Sequence, residues 1–224
     1  MADNYPAAAV TGTDLSPIQP SFVPSNCSFE IDDFNLSWTY PENYFDFIHA
    51  REVFGCVTDL DELLRQCMLH CKTDGWVEIV EHSVCPRSDD DTVGPDHFYT
   101  LWGKTVLEMG DRWNKSFRIW EETKERMLKV GFKNVTETRY KWPMNEWPKD
   151  RHLKELGRWN RYRLDKGVES YMLRLLTVAG GVMLSFFLFL TAPLRCCGKL
   201  TIGVTVVIRA SSDIPCYDAK RIER

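Results

Sequence analysis

TDLSPIQPS, residues 13–21, is the stretch on which the fold turns. An acidic residue, Asp14, follows a short apolar run from Ala7 to Val10 and gives way at once to turn formers. That pattern closes the second strand of α/β domains that bind a nucleoside, where a carboxylate accepts hydrogen bonds from ribose hydroxyls. The glycine-rich turn that stands about twenty residues before such an acid is not in the chain. Met1 lies thirteen residues before Asp14, and Gly12 is the sole glycine before Gly55.

Working outward, the opening reads as the remnant of a helix, followed by a strand over residues 8–12 and a loop punctuated by Pro17, Pro20 and Pro24. A second strand fits Cys27–Ile31 and ends at Asp32 and Asp33. A third fits residues 44–49 and ends at His49. The clearest helix follows: Val57, Leu60, Leu63, Leu64, Cys67, Met68 and Cys71 recur at three- and four-residue steps, one buried stripe. Thr58 with Asp61 is its expected capping pair, and Gly75 its expected stop. Residues 76–80 make a strand, so strand, helix and strand form a right-handed parallel crossover. Two more helices are expected after the acidic loop at 88–97, the second over 118–130 and stopped by Gly131. A strand over 135–142 and a helix over 151–176 complete an α/β class domain, with Leu153, Leu156, Leu164, Val168, Tyr171, Met172 and Leu175 on one side of that helix.

The 224 residues are 44% hydrophobic with eight tryptophans, enough for a core in one domain plus an appendage. The domain is expected over residues 1–150, with 151–176 as its C-terminal helix. Residues 1–50 hold seven acids and no Lys or Arg, 51–138 seventeen acids against twelve bases, and 139–224 eight acids against sixteen bases. A base-free acidic block repels phosphates and suits a cationic ligand. Nucleic-acid contact could come only from the basic C-terminal third, and no strong signal for it stands out. Residues 175–194 run twenty long without a charge, enough to span a bilayer if helical. The basic residues before that run would then leave the main domain facing the cytoplasm. Buried helix and membrane span both stay open for it. Residues 195–224 form a basic tail with a β-branched strand over 200–208. No export signal precedes the eight cysteines, which fit reduced thiols in cytoplasm or nucleus, and the four Asn-x-Ser/Thr sequons at Asn26, Asn35, Asn114 and Asn134 read as chance.

Asp14, Asp32 with Asp33, and His49 each end or follow a strand expected to be parallel. Ligands bind in the crevice outside the carboxyl ends of such strands, so topology brings these positions together. Other constellations are weaker. Cys67 and Cys71, with His70, His82 and Cys85, have donors for zinc, but the two cysteines lie on the apolar stripe while His70 points elsewhere, and buried cysteines are ordinary core residues. Asp89, Asp90 and Asp91 point different ways in an extended loop. Tyr162 and Lys166 have dehydrogenase spacing, and Arg158, Trp159, Arg161 and Arg163 make a basic-aromatic face, but both patterns suit a solvated helix.

TDLSPIQPSFVPSN, FEIDD, WTYPENYFDFIHAR, KTDGWVEIVEH and WPKDRHLKELGRWN, five motifs in order, resemble fungal class I S-adenosylmethionine-dependent methyltransferases. The likeness is to the subgroup of regulators of secondary metabolism that work with velvet proteins, and covers residues 1–176. It implies a Rossmann-like sheet, with Asp14 at the cofactor ribose, Asp32 and Asp33 near the adenine, and His49 beside the methionine moiety. A sulfonium cofactor without phosphate suits the acidic N-terminal block. Catalysis there is chiefly alignment for in-line transfer. The family's first strand and glycine-rich loop lie before the start of this chain, which implies a sheet with that strand missing and two strands short of a ladder partner. The chain therefore reads as truncated at the front, with the activity set against that of a non-catalytic interaction protein, membrane-attached through residues 175–194. The methyl acceptor and any catalytic base are unknown from sequence. Glu81 and His82, at a strand end, are the candidates for residues near the substrate.

Overall fold

Among the described residues two pieces of β-sheet, one parallel and one mixed, carry four helices. The computed structural model describes residues 1–88, 94–178 and 200–211. After a single 3-10 turn at Ala2–Asn4, strands β1 (Val10–Asp14) and β2 (Cys27–Ile31) pair in parallel, Val10 opposite Cys27 and Asp14 opposite Ile31. Asn26 organises the entry: its side-chain amide reaches the carbonyls of Ala2, Tyr5 and Ala8 at 2.8–3.2 Å.

The larger sheet begins with β3 (Phe45–Arg51), helix α1 (Leu60–His70) and β4 (Cys71–His82), with β3 and β4 parallel, as the crossover requires. Two sequence expectations need correction here. The N-cap of α1 is Asp59, whose carboxylate accepts the Glu62 N–H at 3.0 Å, rather than the Thr58–Asp61 pair. Gly75 is not a helix stop, because α1 has already ended at His70 and Cys71 is extended. A Cβ at position 75 would lie 2.6 Å from Cys71 Sγ and 2.9 Å from the Lys72 carbonyl oxygen, so a glycine lets the chain crowd upon itself there. His70 also departs from expectation. It is buried, its Nδ1 is 3.1 Å from the Pro41 carbonyl oxygen, and its ring stacks on Trp38.

Beyond β4 come β5 (Pro86–Ser88), α2 (Phe98–Arg112), α3 (Ile119–Val130), β6 (Lys133–Pro143), α4 (Arg151–Val178) and β7 (Leu200–Ser211). Gly131 ends α3 with φ of +115°, the left-handed cap that favours glycine. Strand β7 runs antiparallel between β4 and β6, and β5 pairs with its first residues. The stretch of the basic tail expected as a strand is thus the inner strand of the mixed sheet. Among the described residues β1 and β2 pair only with each other, and β3 pairs only with β4.

The core lies between this sheet and α1 and α3: Leu64, Cys67, Val77, Ile79, Ile119, Met127, Ile208 and Ala210 are all buried. Burial of a Leu or Ile side chain stabilises by about 1.5–3 kcal/mol, so this layer dominates. Helix α4 packs on β6 with Gly157 and Asn160 buried, while Leu153 is 39% exposed. A Cβ on Gly157 would fall 2.0 Å from the Asn145 carbonyl oxygen, and Asn160 donates to the Pro143 carbonyl at 3.0 Å. Among the described residues no helix is long and apolar enough to cross a membrane. Residues 179–194 of the uncharged run, and Asp89–Asp91, lie outside the described residues.

Candidate functional site

The tips of β1 and β2 are tied together by their backbone, the Asp32 N–H donating to the Asp14 carbonyl at 3.1 Å. Each acid there then shapes its own turn. Asp14 Oδ1 accepts the Ser16 N–H at 2.8 Å, and Asp32 Oδ1 accepts the Asp33 N–H at 2.8 Å. Asp33 Oδ1 accepts the backbone N–H and side-chain amide of Asn35, at 3.0 and 2.9 Å. These hydrogen bonds from Asn35, with Lys115 adding a smaller charge effect, hold the Asp33 carboxyl below its ordinary range.

Asn35 carries the link onward to the larger sheet. Its amide N–H reaches the Cys56 carbonyl at 3.2 Å, and its oxygen accepts both the N–H and the hydroxyl of Thr58 at 2.9 Å. Burial pushes the Cys56 thiol up in pKa, and it also feels the charges of Lys115, Glu81 and Asp14. Asp33, Asn35, Cys56 and Thr58 are thus joined in one hydrogen-bonded cluster beyond the strand ends. Beside it lies a cleft of about 380 Å³, with Val57, Thr58, Lys115, Ser116, Glu122 and Arg126 among its walls.

His49 is placed differently. It sits inside β3, two residues short of its end, opposite Glu78. Its Nδ1 lies 2.8 Å from Glu78 Oε2 and its ring stacks on Phe47. The expectation that the third strand ends at His49 is corrected by two residues, and its ring is engaged by the neighbouring strand.

At the end of β4, Glu81 is 1% exposed and its Oε1 accepts the Val53 N–H at 2.8 Å. Burial raises its carboxyl to about 7, which the backbone N–H groups of Val53 and Phe54 only partly offset. Among the described residues Oε2 is buried without a hydrogen-bond partner. His82 follows, depressed to about 4 by burial and by Arg163, with Glu52 acting in the opposite sense. A chain of charge runs through it: Glu52 Oε1 is 3.7 Å from His82 Nδ1 and 3.5 Å from Arg163 Nη1.

Sequence inspection missed Asn35, Glu52, Cys56, Lys115 and Arg163 in these roles. Asn35 was visible only as part of a sequon, and Arg163 only as one basic residue on a helix face. Glu52 carried a local signal of a kind that spacing does not reveal: a positive φ of 54° in a non-glycine residue immediately after a strand.

The arrangement suits a nucleoside with a cationic group and no phosphate. Asp14 Oδ2 accepts no hydrogen bond among the described residues, leaving it for hydroxyl donors. Residues 1–50 bring no Lys or Arg against it.

Comparison with known proteins agrees. A methyltransferase-domain family model matches residues 1–137. The chain is similar to the methyltransferase pytC of Aspergillus terreus, 35% identical over 178 residues that cover 79% of this chain and 55% of that protein. It is likewise 35% identical over 172 residues to the secondary metabolism regulator LAE1 of Cochliobolus heterostrophus, covering 76% of this chain and 56% of that one. The chain thus spans about half the length of the curated relatives it matches. In three dimensions it is similar to the YcgJ protein of Bacillus subtilis, with a TM-score of 0.51 at 13% identity, covering 96% of this chain and 87% of that one, a likeness of fold. S-adenosylmethionine is the cofactor of this family. The chain belongs to the methyltransferase-domain family, in the α/β fold of class I S-adenosylmethionine-dependent enzymes.

Proposed function

We propose that this chain carries the cofactor side of an S-adenosylmethionine-dependent methyl transfer. Asp14 takes the ribose hydroxyls through its free oxygen. Asp32 and Asp33 stand at the adenine, and His49, held by Glu78, flanks the methionine moiety. The cofactor supplies an electrophilic methyl group. The chain supplies placement, the chief part of catalysis in an in-line transfer. The observation that carries this assignment is the pairing of the β1 and β2 tips, the Asp32 N–H on the Asp14 carbonyl, with Asp33 tied through Asn35 to Cys56 and Thr58.

Likeness to a secondary metabolism regulator extends the proposal to a regulatory role in cytoplasm or nucleus, alongside protein partners of the velvet type. The test is calorimetric titration of the full chain with S-adenosylmethionine. Binding is expected, and Asp14→Ala should weaken it by about 10- to 100-fold, the loss of one or two hydrogen bonds to a charged group. No binding by folded chain, or undiminished binding by the variant, refutes the assignment.

A further inference from the structure

Cofactor placement leaves the basic-aromatic run of α4 unused, and its side chains divide sharply between sheet and water. Trp159 is 62% exposed and Tyr162 57% exposed, their rings edge-to-face with centroids 6.2 Å apart. Arg151, Lys154, Arg158 and Lys166 are exposed along the same helix, while Gly157 and Asn160 are buried against Pro143 at the end of β6. At 1.5 Å per residue, the stretch from Arg151 to Lys166 runs about 22 Å. Residues 139–167 hold nine Lys and Arg against four acids. Three of those acids are already committed: Glu146 pairs with Arg158 at 3.1 Å, Asp165 with Arg161 at 3.7 Å, and Asp150 accepts the Leu153 N–H at 2.8 Å as the cap of α4. Among the described residues Arg151, Lys154 and Lys166 have no ion-pair partner.

We propose that this face of α4 binds single-stranded nucleic acid, with phosphates on Arg151, Lys154 and Lys166 and bases stacked on Trp159 and Tyr162. The surplus of cations calls for a polyanion, and a row of unpaired basic side chains gains affinity by releasing the counterions of a phosphate backbone. The rings narrow the choice further. Exposed aromatic side chains set among cations suit a ligand that carries a flat π-face on every unit, as each base does. An acidic peptide would satisfy the cations and leave the indole in water. A double helix keeps its bases stacked on one another, so the single strand is the form that can use the rings. The acidic block of residues 1–50, without Lys or Arg, repels the same backbone and confines the contact to this basic helix. Arg158 and Arg161, held by Glu146 and Asp165, contribute less charge than their number suggests.

The proposal does not rest on the methyltransferase assignment, and its test uses the full chain without S-adenosylmethionine. A short fluorescein-labelled oligouridylate is titrated with protein and followed by anisotropy at salt concentrations from about 50 to about 200 mM. Binding should weaken with salt along a log–log slope of about −2, roughly −0.7 for each of three phosphates. Lys166→Gln should flatten that slope by about 0.7. Trp159→Ala should weaken binding by about 5- to 150-fold, the worth of one stacked base, and replacing so exposed a side chain leaves the fold intact. A labelled oligoglutamate of equal charge should bind about tenfold more weakly than the oligouridylate. Absence of oligouridylate binding at the lowest salt, or full affinity in Trp159→Ala, overturns the proposal. Oligoglutamate bound as tightly as oligouridylate overturns it too, and would assign the face to an acidic protein segment.

Discussion

The two pieces of sheet are held by different forces. In the mixed sheet Val77, Ile79, Ile208 and Ala210 are all at most 2% exposed, pressed against Leu64, Ile119 and Met127. In the β1–β2 pair Ile31 is 66% exposed, and Phe22 in the loop between the two strands is 95% exposed. There the chain is fixed by side-chain amides instead. Asn26 gathers the N-terminal turn, Asn35 bridges Asp33 to Cys56 and Thr58, and buried Gln66 holds the Trp38 N–H at 2.6 Å and the Leu36 carbonyl at 3.0 Å. Stability and the strand-tip carboxylates thus come from different parts of the molecule. Regions with few buried apolar contacts open most readily, and ligand-binding segments are drawn from them.

The contrast is sharpest at Leu64. Leu64→Ala should lower the unfolding free energy by about 3–5 kcal/mol in a denaturant titration, because the site is closed on all sides. A loss below about 1 kcal/mol would mean that the core layer does not dominate.

Between the two regions stand Glu81 and His82, whose effects on stability oppose one another. The folded Glu81 carboxyl keeps a proton that the unfolded chain releases between its ordinary 4.5 and about 7, so its contribution falls as pH rises through that window. The unfolded His82 takes up a proton between its ordinary 6.5 and about 4 that the folded ring refuses, so its contribution falls as pH drops through that window. Glu81→Gln should therefore uncover a stability that climbs by roughly 2–3 kcal/mol from pH 4 to pH 6.5. Thermal melts across that range check it, and a flat profile in the variant would remove His82 from the buried cluster. At the small end, Ile31→Ala should change stability by less than about 0.5 kcal/mol, as exposed substitutions do. A loss approaching that of Leu64→Ala would erase the distinction between the two regions.

Much of the fold was legible in the letters. The stripe Leu60, Leu63, Leu64, Cys67 announced α1, β2 occupies the expected Cys27–Ile31, and Gly131 marked the end of α3. The misjudged ends have one cause in common. Cys71 extends the helical spacing of α1 but is buried in a strand, since either conformation can place an apolar side chain inward. The third strand was read as ending at His49, yet pairing with β4 carries β3 on to Arg51. At the site, acids after strands were readable, but the residues linking them were not. Asn35 stands two residues after Asp33, but no local pattern joins it to Cys56 or Thr58, or Asp33 to Lys115.

Local composition determined the α/β class, the parallel crossover and the acid-rich, base-free block that suits a cationic nucleoside, because periodicity and turn chemistry act over a few residues. Only the tertiary structure decided that β7 enters between β4 and β6, that Asp33 meets Cys56 through Asn35, and that Glu52 and Arg163 close on His82. Those contacts depend on segments remote in the chain meeting in space. Burial then sets their chemistry, since the same carboxyl or imidazole titrates differently once water is removed.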